Sequence, residues 1–192
     1  FRIAETIRIV LFMTLSIVVF NFYPITALMI ILLALLNDIP ILAIAYDNTR
    51  VDPKPVRWRM SELLTVSSVL GISGVISSFL LFYFLQEQGF SEDVIRTMLF
   101  LKLIIAGHST LYVTRTSGWF WQQPYPSWLL MGATFGTEII GTLFAVYGVF
   151  VAPIGWEYAL WMWLYALIWF VVNDVVKAAT YKWVINREPV NR

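Results

Sequence analysis

The chain has 192 residues, of which 59% are hydrophobic and 13% charged, with a formal net charge of +1 and no cysteine; its mean hydropathy is +0.75. Soluble domains carry about 25% charged residues, so this composition belongs to a membrane protein. Lack of cysteine excludes disulfides, thiolate metal sites and cysteine nucleophiles, and the small net charge leaves topology to the placement of Lys and Arg.

The chain opens at Phe1 without an initiating Met or a signal-peptide pattern, as expected of a fragment that starts inside a longer helix. Six apolar spans are predicted, at 7–22, 25–46, 63–85, 95–113, 129–151 and 158–176, which makes the fold an all-α, polytopic bundle of six transmembrane helices. Arg2, Glu5 and Arg8 precede or open the first span. Only residues 21–24, including Pro24, separate it from the second, so the two are expected to form an antiparallel hairpin.

The second span is the most informative, because Asn37, Asp38 and Pro40 lie in its middle. A carboxylate near the centre of a membrane helix costs roughly 2.5–3.5 kcal/mol on insertion scales. Pro40 lacks an N–H and crowds the carbonyl of Leu36, which predicts a proline-broken helix beside Asp38. Freed carbonyls and a carboxylate suit a cation or proton site; a neutral acid bonded to a neighbouring helix is the plainer alternative. Counted from the turn at 1.5 Å per residue, Arg8 and Asp38 each lie roughly 20 Å away, so similar depth is expected, and with it an ion pair or a proton acceptor with a built-in counter-charge. Snorkelling to the interface is the other reading of Arg8.

The following polar segment holds Pro53 and Pro55 among Arg50, Lys54, Arg57 and Arg59, and marks the cytoplasmic side. In the third span Ser67, Gly71, Gly74 and Ser78 recur at helical spacing, a small-residue face for close packing. The loop after it carries Glu87, Glu92 and Asp93 and is expected outside. The fourth span contains Lys102 and the single histidine, His108, six residues apart and so not on one face. Either could pair with Glu138 or reach water, and a structural role is expected for both.

Arg115 returns the chain inside, where Trp119, Phe120, Trp121, Tyr125 and Trp128 suit an interfacial aromatic belt. The fifth span repeats Gly132, Gly136, Thr137 and Gly141 as a packing face, with Glu138 in its middle as a proton or ion ligand or a neutral hydrogen-bonded acid. The sixth ends in Asn173, Asp174 and Lys177 before a basic tail, so Asp174 is expected to cap or pair near the cytoplasmic surface. Nearly all Lys and Arg residues fall at the inner ends and Arg96 at an outer end, which puts both termini in the cytoplasm.

Taken in order, the strings TIRIVLF, LLNDIPILAIAYDNTRVDPKPVRW, LYVTRTSGWFW, LFAVYG and IGWEYALWMWLYALIWFVVNDVVKA resemble the C-terminal membrane half of plasma-membrane-type, proton-exporting P-type ATPases. The likeness covers nearly the whole chain, and its most specific part is Asn37-Asp38 followed by Ala45-Tyr46-Asp47-Asn48 and the proline-containing basic loop. It implies helices five to ten of such a pump. Asp38 then matches the proton acceptor and donor, Arg8 the positive gate or counter-ion, Asn37 the neighbouring asparagine and Asp174 an acidic position at the end of helix ten. Where plant pumps have glycine and threonine after the Asn-Asp pair, this chain has Ile39 and Pro40.

The resemblance also implies ATP-driven proton export through an aspartyl-phosphate intermediate, with Mg²⁺ and ATP handled elsewhere in a parent pump. The chain itself has no phosphorylation loop or phosphate cradle, so no catalytic residue, metal site or cofactor is assigned to it. Expected partners are the lipid bilayer, the parent's remaining helices and cytosolic domains and the transported proton, with no nucleic acid. The expected location is the plasma membrane. The alternatives are a P-type pump for another cation, a self-contained six-helix secondary transporter and a structural membrane subunit.

Overall fold

A computed structural model describes residues 1–48 and 59–187, with the backbone alone at 184–187. The expected inner cations Arg50, Lys54 and Arg57, with Pro53 and Pro55, fall outside the described residues, as does Arg192. Six helices are described: α1 Arg2–Phe20, α2 Ala27–Ile44, α3 Met60–Glu87, α4 Glu92–Thr114, α5 Trp128–Tyr147 and α6 Gly155–Arg187. All six contain stretches long and apolar enough to cross a membrane, and no strand occurs among the described residues.

Helix ends follow local chemistry more than hydropathy. Asn21 closes α1 in the left-handed conformation (φ 48°) that asparagine tolerates. Thr26 starts α2 by accepting a hydrogen bond from the Met29 amide at 3.2 Å. Ser127 does the same for α5 through the Leu130 amide at 3.2 Å. Gly148 ends α5 at φ 74°. α6 extends well past the apolar span because Ala178, Ala179 and Lys182 are helix formers that hydropathy ignores.

Two expectations about α2 are corrected. The helix runs without interruption through Pro40, which is buried inside it; one missing N–H near the end of a helix does not unwind it. Nor do α1 and α2 form a packed hairpin. α1 packs chiefly on α3, while α2 packs on α5 and α4, and α1 and α2 meet through side chains without close approach of their backbones. The connection is six residues rather than four, and its Phe22 and Ile25 are buried in separate parts of the core, which holds the two helices apart.

α4 is the central post, touching α1, α2, α3, α5 and α6. Every residue from Met98 to Ile105 is fully or almost fully buried, so this part of the helix has no lipid face. Within lipid, apolar side chains gain little by leaving the bilayer, and helix association depends on close packing. The small-residue face of α3 supplies it as expected: a Cβ on Gly71 would stand 2.8 Å from Ile7 Cβ, and one on Gly74 would stand 2.6 Å from Arg8 Cδ. The α5 stripe is corrected. Gly141 packs, with Ile104 Cδ1 2.7 Å from a hypothetical Cβ, but Gly132 and Gly136 have nothing within 4 Å.

A polar lock joins α2 to the α4–α5 loop. Arg115 Nε donates to Asp47 Oδ2 at 2.6 Å, and the Ser127 amide donates to Asp47 Oδ1 at 2.8 Å. Arg115 also reaches the carbonyls of Pro124 and Asn48, each at 3.3 Å. Burial opposes charge on Asp47, but the Arg115 and Ser127 hydrogen bonds and the Arg115 charge outweigh it and hold this carboxyl below the usual range.

Two stability measurements check this packing. Gly71→Ala should lower thermal stability in detergent by about 1–3 kcal/mol, whereas Gly132→Ala should be neutral or stabilising by up to about 1 kcal/mol. Because the Asp47 value is depressed on folding, the stability it contributes is present above the ordinary aspartate value and is lost as pH falls through the folded one. Arg115→Met should therefore cost about 2 kcal/mol at neutral pH and flatten the acid limb of a stability–pH titration.

Candidate functional site

The N-terminal half of α1 places three charged side chains on neighbouring turns. Arg2 and Glu5 are three residues apart, as are Glu5 and Arg8, a spacing that puts successive members near one another on a helix. Arg8 is 3% exposed and points into the bundle. Its aliphatic stem lies over Gly74 of α3, and Nη1 donates to Ala106 O and Thr110 Oγ1 of α4, both at 3.2 Å. Nε and Nη2 are buried without hydrogen-bond partners. Arg8 therefore does not snorkel.

The expected Arg8–Asp38 ion pair is replaced by a different pairing. Asp38 Oδ1 accepts from Arg2 Nη2 at 2.5 Å, and both side chains are 55% exposed. Asn37, the residue before it, is buried and donates through Nδ2 to Glu5 Oε1. Arg2 Nη1 reaches the other Glu5 oxygen at 3.3 Å. Equal counting from the turn misjudges depth because α2 is displaced along α1. Asp38 faces Arg2, six residues before Arg8 and about 9 Å along the helix from it.

Glu5 is thus the buried carboxylate of the site, at 3% exposure, and sequence reasoning does not single it out. It lies ahead of the predicted apolar span and reads as part of a polar flank. The Arg-x-x-Glu-x-x-Arg spacing is the available signal. Pro40 lies on the same helix as Asn37 and Asp38, also buried, and makes no polar contact of its own.

The other candidates separate into three local arrangements. Lys102 is fully buried and donates to Ser78 Oγ at 2.7 Å and Gly74 O at 3.4 Å, away from both water and Glu138. His108 does face Glu138, with Nδ1 3.4 Å from Oε1, and neither ring nitrogen has a hydrogen-bond partner. Glu138 also borders a cavity of about 370 Å³ between α4, α5 and α6, otherwise walled mainly by aromatic and aliphatic side chains such as Phe120, Trp163 and Phe170. Asp174 pairs with Lys177 at 2.7 Å as expected, but the pair is buried rather than superficial. It ties α6 to the Phe120 amide and to Val113 O. Among the described residues no three His, Cys, Asp or Glu side chains converge as metal ligands.

Chemically, α1 and α2 present two carboxylates, two guanidiniums and an amide along about two turns of α1, with Arg2 and Asp38 facing out and Glu5, Arg8 and Asn37 occluded. Such a set can hold a proton or small cation with counter-charges built in.

No protein-family model matches the chain. Similar proteins are nonetheless found among transport ATPases. A Methanocaldococcus jannaschii protein, named provisionally as a cation-transporting ATPase, is 56% identical over 95% of this chain and 23% of its own length. Plasma membrane ATPase 1 of Saccharomyces cerevisiae is 33% identical over 77% of the chain and 16% of its own length. The Neurospora crassa plasma membrane ATPase is 30% identical over 78% of the chain and 17% of its own length. The chain thus spans less than a quarter of each of these relatives. With six apolar helices and this extent of identity, the chain belongs to the P-type cation-transporting ATPases, as a segment of their membrane part.

Proposed function

We propose that these six helices form the ion path of an ATP-driven proton exporter in the cell membrane, with Asp38 as the carboxylate that takes up the proton. The observation that carries the reading is the half-exposed Asp38 Oδ1 held at 2.5 Å by Arg2, with Arg8 occluded about 9 Å further along α1. The fungal relatives, named as plasma membrane ATPases, support the location. The end of the bundle where α1 begins carries Arg2, Arg59, Arg115 and Lys182, whereas Arg96 stands at the other end, so the first is cytoplasmic by charge bias.

In this scheme ATP and Mg²⁺ act on domains outside this chain. The helices supply a binding group, its counter-charges and a means of changing access. Arg2 neutralises ionised Asp38 and leaves it when the carboxyl is protonated. Arg8, anchored to Ala106 O and Thr110 on the central helix, remains a fixed positive barrier to protons returning from outside. Asn37 fixes the level of α2 against α1. Domain movements reaching α1 would change the spacing of Arg2 and Asp38, and so the ease with which Asp38 holds a proton.

Two oxygen-bearing acids near Asn37 also fit a small metal cation, and the relative from Methanocaldococcus jannaschii is named for cations without an ion specified. The test separates these readings. Inside-out vesicles containing the full-length pump, supplied with Mg-ATP, should acidify with Na⁺, K⁺ and Ca²⁺ each omitted. Asp38→Asn should reduce that acidification by at least about tenfold. Acidification that requires one of the metal cations would replace the proton reading, and unimpaired pumping by the Asn variant would remove Asp38 from the role.

A further inference from the structure

We propose that Glu5 is a second, occluded proton-binding site, which receives the proton from Asp38 and holds it between Asn37 and Arg8. The inference rests on the proton-export reading and deepens it by adding the station after Asp38.

Three observations meet at Glu5. First, it is a carboxylate with 3% exposure inside a membrane bundle, joined to α2 through Asn37 Nδ2 and lying within electrostatic reach of Arg8 one turn away. An occluded acid of this kind is costly to keep unless it has a purpose. Second, Arg2 touches both acids at once, through Nη2 to Asp38 at 2.5 Å and Nη1 to Glu5 at 3.3 Å. One guanidinium therefore serves as counter-charge for whichever acid is ionised.

Third, unpaired polar atoms look onto the same spot on α4. Asn37 Oδ1 and Arg8 Nη2 are buried without partners. Both face Gly107, where a Cβ would stand 3.4 Å from Asn37 Oδ1, 3.5 Å from Arg8 Nη2 and 3.6 Å from Asn37 Nδ2. A water over Gly107 would accept from Arg8 Nη2 and donate to Asn37 Oδ1, satisfying these two atoms. Cavities polar on several sides hold water; apolar ones stay dry.

The transfer balances simply. Protonated Asp38 gives its proton to ionised Glu5, so Asp38 becomes the carboxylate and Glu5 the neutral acid; no other bond is made or broken. Arg2 keeps its charge and tightens on Asp38, the arrangement of the two distances above. The order follows from position, since Asp38 is half-exposed level with Arg2, whereas Glu5 lies about 4.5 Å further along α1 toward the outer side.

The experiment measures protons exported per ATP hydrolysed by the full-length pump in vesicles, for wild type, Glu5→Gln, Gly107→Ala and Gly132→Ala. Glu5→Gln should lower the ratio by about tenfold or more. Gly107→Ala adds one methyl group at ordinary contact distance and improves helix propensity, so it should assemble normally yet lower the ratio several-fold. Gly132→Ala, with open space around it, should match wild type. Infrared difference spectra between the resting and ATP-driven pump should contain two protonated-carboxyl contributions, of which Glu5→Gln removes one and Asp38→Asn, which leaves Glu5 without its donor, removes both.

A wild-type ratio in Glu5→Gln overturns the inference. Should that variant fail to assemble, Gly107→Ala decides, and an undiminished ratio there overturns it equally. Failure of the underlying reading looks different: wild type itself would show no acidification without an added metal cation.

Discussion

A guanidinium inside a membrane protein must find its hydrogen-bond acceptors within the protein, and the placement of Arg8 governs much of what surrounds it. Its side chain leaves α1, passes over α3 where Gly74 has no side chain to block it, and ends against a carbonyl and a hydroxyl of α4. Only glycine at position 74 leaves room for the Arg8 stem. Position 107 is a glycine on the far side of the same head group. The tight α1–α3 packing and the positive charge in the bundle are therefore one arrangement seen from two sides.

Other buried polar groups obey the same rule with different partners. Lys102 borrows Ser78 Oγ and a backbone carbonyl of α3. Lys177 combines the Asp174 carboxylate with the Val113 carbonyl. Each links the central α4 or its end to a neighbouring helix, so charges that look expensive in isolation act as cross-ties between helices that gain little from apolar contact alone. The His108–Glu138 pair is looser, with 3.4 Å between the nearest atoms and an aromatic cavity beside it.

Hydropathy makes the six helices legible, because a membrane demands long apolar runs that few other folds need. It carries less about where helices end: α1 and α6 continue through polar sequence that a hydropathy window ends on. That is why Glu5 escapes notice, although its spacing from Arg2 and Arg8 is in plain view. The packing role of Gly71 and Gly74 is readable from their interval, while Gly132 and Gly136 share a similar interval and pack against nothing described. Spacing reveals a face; it does not reveal whether a neighbour occupies it. The Arg8–Asp38 pairing fails for a related reason, since counting along two helices measures depth only if they run side by side.

The separation of α1 from α2 leaves side-chain bonds to join the two helices directly. α1 leans on α3, and α2 belongs with α4 and α5. Across the gap at this level run the Glu5–Asn37 and Arg2–Asp38 bonds. Because Arg8 ties α1 to α4 and Gly71 and Gly74 seat it on α3, these two polar bonds set the level of α2 against an α1 that is held from its other sides. Charge and amide chemistry, rather than close backbone packing, thus join the first two helices of the bundle.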